Sequence, residues 1–332
     1  MSLTGWGVDD AAAVSALTER RGRSRALVRR SILIVPANEP RFVAKAHLRN
    51  ADAVMLDLED SVPAHAKDEA RAAAADAVPQ VSRGGADVLV RINKPYDLAC
   101  RDLDAVVMPG LRGIWFPKVE HPEEVRTLDV LLTERERSAG ITPGFIDIGV
   151  AIESAAGLFR AVEIAGASPR LVTLGYGSED VALELEVEPT NEGHERFYGN
   201  ALTIMAATSA GIQAIGRQGG IADFTNLEAW TASVRAARRL GFKGSGCIHP
   251  DQIPILNSEF SPSAAEVERA RRVVAMFEDA SALGRASANL DGSMIDTPTY
   301  VRAKQTLDRQ AAIERANSRK LTAVRGGHGD FA

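Results

Sequence analysis

Cysteine is scarce: Cys100 and Cys247 are the only two in 332 residues. That excludes a secreted disulfide scaffold and a cysteine-built zinc cluster, and it points to a reducing cytoplasm. No run approaches the ~18 apolar residues a membrane span needs. An excess of positive charge is also missing: 39 basic against 44 acidic side chains leave a net charge of −5, which does not suit a general nucleic-acid binder. The apolar stretch 11–17 is flanked by Asp9, Asp10 and Glu19, the reverse of the basic start of a secretory leader. Three motifs are absent: G-x-G-x-x-G after the first apolar run, H-x-x-x-H, and G-x-S-x-G. Their absence argues against a dinucleotide fold, a zinc site and a serine hydrolase of the nucleophile-elbow type.

What is present is repetition. Eight short apolar runs recur: 31–37 (SILIVPA), 53–60 (AVMLDLED), 87–93 (DVLVRIN), 113–119 (GIWFPKV), 147–154 (DIGVAIES), 171–177 (LVTLGYG), 211–216 (GIQAIG) and 244–250 (GSGCIHP). Near-continuous apolar runs suit parallel strands buried on both faces. Helical stretches are expected at 41–50, 64–78, 122–137, 155–167 and 226–240. Eight alternating units predict an α/β chain folded as a (β/α)8 TIM barrel. The expected organisation is an N-terminal arm over 1–29, the barrel over 30–260 and a C-terminal helical lid segment over 261–332.

Barrel active sites form at the C-terminal ends of the strands, so the residues there are the candidates. Asp57, Glu59 and Asp60 close the second run; Arg91 and Asn93 the third; Lys118 the fourth; Glu153 the fifth. Glu179 and Asp180 follow the sixth, and His249 ends the eighth. A single charge at such a place is usually solvated, but a converging set is costly without a partner or a metal. Glu153 and Asp180 stand on neighbouring units, and two carboxylates with water and substrate oxygens suit Mg²⁺. His249 reads as a packed or hydrogen-bonded histidine. Arg91 carries a permanent fork of donors for a carboxylate or oxyanion.

Six arginines crowd the N-terminal region: Arg20, Arg21, Arg23, Arg25, Arg29 and Arg30. The favoured expectation is a solvated face; a phosphate contact is the alternative. Past the eighth run, Ser261-Pro262-Ser263 opens a helix running to Phe277, with Val267, Ala270, Val274 and Phe277 on one face. A flexible glycine-containing loop at 291–296 and a final helix from about Pro298 follow. Residues 325–332 read as disordered.

Several segments together resemble the citrate lyase β-subunit-like acyl-CoA lyases of the HpcH/HpaI aldolase superfamily. They are RSILIVPANEPRFVAKA (30–46), ADAVMLDLEDSVPAHAKDEAR (51–71), VRIN (90–93), FPKVE (116–120), AIESAAGLFRAVEIAGASPRL (151–171), GYGSED (175–180), GFKGSGCIHPDQI (241–253) and GSMIDTP (292–298). The resemblance implies Mg²⁺ and a CoA thioester substrate. By position, Glu153 and Asp180 match the metal ligands, and Arg91 the substrate arginine. Asp57 and Glu59 match positions that line the pocket and hold metal-bound water, and Lys118 joins them as a substrate-binding candidate. Asp296 matches an acid/base aspartate on a lid that enters a neighbouring subunit's site, which implies a homotrimer or hexamer. Arg41, in the loop after the first strand, is the candidate contact for a CoA phosphate, ranked above Arg30 at the far end of that strand. The expected activity is Mg²⁺-dependent carbon–carbon cleavage of a malyl-CoA or citramalyl-CoA type of thioester, giving an acyl-CoA and a small 2-oxo acid. The alternatives are a malyl-CoA thioesterase, or a citryl lyase β-subunit working inside a complex.

Overall fold

The computed structural model describes residues 11–190, 193–219 and 225–326. The described residues fold as two compact units, one of 11–24, 29–260 and 320–326 and one of 25–28 and 261–319. The first unit holds eight parallel strands: β1 Ser31–Pro36, β2 Ala53–Asp57, β3 Asp87–Arg91, β4 Gly113–Phe116, β5 Asp147–Ile152, β6 Leu171–Tyr176, β7 Gln213–Ile215 and β8 Ser245–Cys247. Their order is β7-β6-β5-β4-β3-β2-β1-β8. Two bonds draw the ends together, Lys243 N–H to Ala214 O and Gly216 N–H to Gly244 O, each 3.0 Å. The result is the expected barrel, with a short seam between β7 and β8.

Every strand ends before its apolar run does: Asp57 and Arg91 close β2 and β3, while Glu59, Asn93, Lys118, Glu153 and His249 lie just past the ladder ends. The helices are α1 Ala11–Ala26, α2 Pro40–Ala46, α3 Lys67–Ser82, α4 Tyr96–Val106, α5 Pro122–Ser138, α6 Ala155–Phe159, α7 Ala161–Gly166, α8 Ser178–Glu184, α9 His194–Ala210, α10 Leu227–Leu240 and α11 Gln252–Glu259. The single helix expected over 155–167 is two, broken at Arg160 (φ −106°, ψ 9°). The large core lies between strands and helices, while Ile32, Ala53, Met55, Leu89 and Ile215 fill the barrel interior. Among the described residues no helix is long and apolar enough to cross a membrane, and both cysteines are free thiols.

The arginine cluster is not a solvated face. Arg29 and Arg30 are buried. Arg29 bridges Asp87 at 3.0 Å and Asp147 at 2.9 Å, the first residues of β3 and β5. Arg23 and Arg112 also reach Asp147. Arg30 grips Asp52 at 2.7 Å, with Lys320 on the same carboxylate. Arg20 donates to the carbonyls of Ala165 and Ser168, both at 3.0 Å. The physical reason is the row of aspartates at the strand starts: each buried carboxylate needs a cation, and the arm supplies several of them. Arg25 remains exposed.

In the second unit, α12 Ala264–Ala282 begins with a capping box between Ser263 and Glu266. Val267, Ala270 and Val273 are buried there, and Val274 and Phe277 pack beside them. The segment expected as a flexible loop is a β-hairpin, β9 Ala288–Leu290 paired with β10 Ser293–Ile295. Asp291 (φ 51°) and Gly292 (φ 80°) make its tight turn, the left-handed pair that a two-residue hairpin demands. α13 Thr297–Gly326 follows, so Arg325 and Gly326 are helical, while 327–332 lie outside the described residues.

Candidate active site

A cavity of about 980 Å³ opens at the C-terminal ends of the strands, lined by residues of all eight βα units and of the first unit alone. Asp57, Arg91, Glu153, Asp180 and Arg41 all line it. Glu59 and Lys118 line an adjoining cavity of about 410 Å³, and Asp60 borders both.

Asp57 is the last residue of β2 and fully buried. Its Oδ1 accepts from Arg91 Nε at 2.6 Å and from the Glu59 N–H at 3.0 Å; its Oδ2 accepts from Arg91 Nη2 at 2.6 Å and the Ser61 N–H at 3.1 Å. Burial alone would raise the Asp57 pKa, but the Arg91 bonds outweigh it and hold the carboxyl below its ordinary range. The register explains the pairing, because Asp57 and Arg91 stand opposite each other across β2 and β3. The bidentate fork that the sequence offered to a substrate is therefore spent on Asp57. Arg91 Nη1 turns to Glu59 at 3.1 Å and Asp60 at 3.2 Å.

Lys118 adopts φ 54°, a left-handed backbone unusual for a residue with a side chain. Its ammonium pairs with Glu59 and, at 3.0 Å, with Asp60. Burial followed by Asp60 raises the Glu59 pKa. Sequence reasoning missed Lys67, which donates to the carbonyls of Leu58 and Glu59 at 2.7 Å each and pins the loop after β2. It also missed Arg217 at the end of β7, a buried guanidinium 3.6 Å over the Trp230 ring with its pKa lowered to about 9 by burial. The only signal was a basic residue after a run that ends in glycine.

Glu153 and Asp180 are different. Among the described residues neither has a hydrogen-bonding or ion-pairing partner. Glu153 follows β5; Asp180 lies in the first turn of α8. Burial, and then the charge of Asp180, push the Glu153 pKa up to about 7. Glu153 is half-buried and Asp180 exposed beside it, and the unfavourable approach of the two carboxylates is what a cation would relieve. No cluster of three or more His, Cys, Asp or Glu side chains suited to a metal exists among the described residues. A cation there would draw two ligands from the protein and the rest from water or substrate, the pattern of Mg²⁺. His249 lines the cavity, and its Nδ1 accepts from the Asp251 N–H at 3.3 Å.

Asp296 belongs to the second unit, where its Oδ1 caps α13 by accepting from the Thr299 N–H at 3.0 Å and Thr299 Oγ at 2.6 Å. Arg41 is largely exposed, 3.3 Å from Glu39 and stacked on Phe42.

Residues 30–250 match the HpcH/HpaI aldolase/citrate lyase family. The chain belongs to that family of aldolases and lyases. It is 33% identical over 307 residues to the citrate lyase β-subunit of Leuconostoc mesenteroides, covering 91% of this chain and 97% of that one. It is 32% identical over 285 residues to a (3S)-malyl-CoA thioesterase of Cereibacter sphaeroides, covering 86% and 95%. Among solved structures, the CitE protein of Mycobacterium tuberculosis in complex with magnesium, acetoacetate and coenzyme A superposes with a TM-score of 0.67 at 30% identity. That match covers 86% of this chain and 99% of CitE.

Proposed function

We propose that this chain is a Mg²⁺-dependent carbon–carbon lyase acting in the cytoplasm on a 3-hydroxyacyl-CoA thioester of the malyl-CoA or citramalyl-CoA type, releasing an acyl-CoA and a small 2-oxo acid. The observation that carries the reading is a pair of carboxylates, Glu153 and Asp180, unpartnered among the described residues and beside an anchored arginine in one cavity. Glu153 and Asp180 would hold the ion, and the chemistry Mg²⁺ supplies there is stabilisation of charge on oxygen. The magnesium and CoA found with the CitE relative support the same assignment.

The chain's own groups account for the rest. Arg91, fixed on Asp57 and therefore costing no reorganisation, presents positive charge toward the cavity. Lys118, Glu59 and Asp60 form the polar wall beside it. Arg41 and, four and eight residues further on, Lys45 and Arg49 line the cavity at the α2 side, where they would meet the CoA phosphates. In cleavage the 3-hydroxyl proton passes to solvent, the C3 carbonyl forms as the C2–C3 bond breaks, and the resulting thioester enolate takes a proton at C2. We assign that last transfer to Asp296 of a neighbouring subunit in a homotrimer or hexamer.

The direct test is Mg²⁺-dependent release of glyoxylate or pyruvate from the two thioesters. Free thiol without oxo acid would instead assign a thioesterase, the reading supported by the Cereibacter relative. Turnover only after addition of other citrate lyase subunits would make the chain a complex-bound β-subunit.

Two further outcomes check the parts. A Cβ at Gly177 would stand 2.5 Å from Glu153 Cγ, while the Gly177 backbone (φ −86°) suits any residue. Gly177→Ala should therefore displace Glu153 and weaken Mg²⁺ binding by roughly 10–100-fold in calorimetry. Unchanged affinity would remove Glu153 from the ligand set. Mixing inactive Asp296→Asn and Glu153→Gln subunits should regain activity when they co-assemble. Verified mixed oligomers without activity would reject the shared site.

A further inference from the structure

One side chain builds the floor beneath the carboxylate pair. β6 and the residue after it direct Gly175 and Gly177 to the cavity, two positions apart, and each makes room for a neighbour. At Gly177 the neighbour is Glu153. At Gly175 it is the indole of Trp115, whose Cζ2 would be 2.8 Å from an added Cβ. Gly149 on β5 makes the same allowance, with Trp115 Cε3 at 2.6 Å from an added Cβ. The register agrees, since Trp115 pairs with Gly149 and Ala151 with Gly175. Successive positions on one face of a strand are about 6.6 Å apart. The indole therefore spans the two rows beneath Glu153, with its Cζ2 edge in the upper one, and the lining there is apolar: Ile34, Ala151 and Ile215 beside Trp115.

That spacing admits one layer of atoms, in contact at about 3.5 Å with each row. Direction follows from charge. In the lyase reading Arg41, Lys45 and Arg49, which line the α2 side of the cavity, would meet the CoA phosphates, so the acyl portion would point inward and its end distal to the thioester would reach the floor. The geometry points to Trp115 as the specificity-determining residue that limits the 2-oxo acid half of the substrate. A hydrogen or methyl on the oxo carbon fits over the indole, and a longer alkyl group does not. The inference rests on the lyase reading above and names its substrate class: thioesters whose cleavage yields glyoxylate or pyruvate.

The test runs the reaction in the condensation direction, with acetyl-CoA, Mg²⁺ and four acceptors: glyoxylate, pyruvate, 2-oxobutyrate and 2-oxovalerate. For the wild type, kcat/KM should fall by about 10–200-fold from pyruvate to 2-oxobutyrate, the discrimination one methylene provides. Trp115→Leu should recover about tenfold or more of that ratio. Trp115→Phe, the gentler change, should recover less and serves if the leucine variant does not fold. Parallel loss for all four acceptors in a folded variant, or wild-type use of 2-oxovalerate equal to that of pyruvate, would overturn the assignment. If no acceptor turns over, the lyase reading fails. Calorimetric binding of the four oxo acids to the Mg²⁺-loaded protein then decides separately: a cut-off after pyruvate that relaxes in Trp115→Leu supports the floor, and equal affinities reject it.

Discussion

Glu153→Gln is expected to abolish Mg²⁺ binding and lower turnover by about 10²–10³-fold or more, while making the metal-free protein more stable. The second half of that result is the informative one. Glu153 ionises near pH 7 in the fold against an ordinary 4.5, because burial and Asp180 disfavour its charge. A carboxyl whose folded pKa is raised contributes stability that is fully present below its unfolded pKa and is lost as pH climbs through the folded value. The metal-free wild type should thus lose stability between about pH 4.5 and 7, on the order of 3 kcal/mol at most. Glutamine carries no such charge. Thermal scans in EDTA at pH 8 should show the variant melting above the wild type, with the gap closing below pH 4.5. Added Mg²⁺ should raise only the wild-type curve. A variant less stable than the wild type at pH 8 in EDTA, or Mg²⁺ stabilising both alike, would contradict the two-carboxylate site. Asp180→Asn should bring the Glu153 pKa down, since that neighbour's charge is the second cause of its elevation.

Removing the guanidinium of Arg91 should change the fold's stability by a similar amount in the opposite direction. Arg91→Met leaves the Asp57 carboxylate buried with only Ser61 and the Glu59 N–H as partners. An uncompensated buried charge costs about 3–5 kcal/mol. Adding Asp57→Asn should return a large part of the loss, because the charge that needed the fork is gone. Chemical denaturation of the two single variants and the double variant measures the coupling. Strict additivity would show that the pair does not act as a unit. The sign with pH is opposite to that of Glu153: the Asp57 pKa is lowered, so its contribution holds above about pH 4 and disappears as pH falls through the folded value.

The eight strands were legible because buried parallel strands read as apolar runs, and the residues that line the cavity because barrel strand ends open onto it. α9 was not legible. Its buried face carries Arg196, Asn200 and Thr203 between small residues, so no apolar stripe marks it. The hairpin was readable in principle, since Asp-Gly between short alternating segments is its signature. Glycine in a loop suggests flexibility, but the left-handed φ of Gly292 serves a tight turn.

By itself the sequence determined the barrel, the rim of strand ends around the cavity, and the residue types gathered there. These follow from local periodicity and from the rule that strand ends face the active side. Tertiary structure alone decided which charges meet. It gave the Arg91 fork to Asp57, sent Arg29 and Arg30 to the strand starts, and left Glu153 and Asp180 without a partner among the described residues. It also set the Trp115 indole over Gly149 and Gly175. Ion pairing and packing depend on distances between residues far apart in the chain, and those distances exist only once the strands are in register.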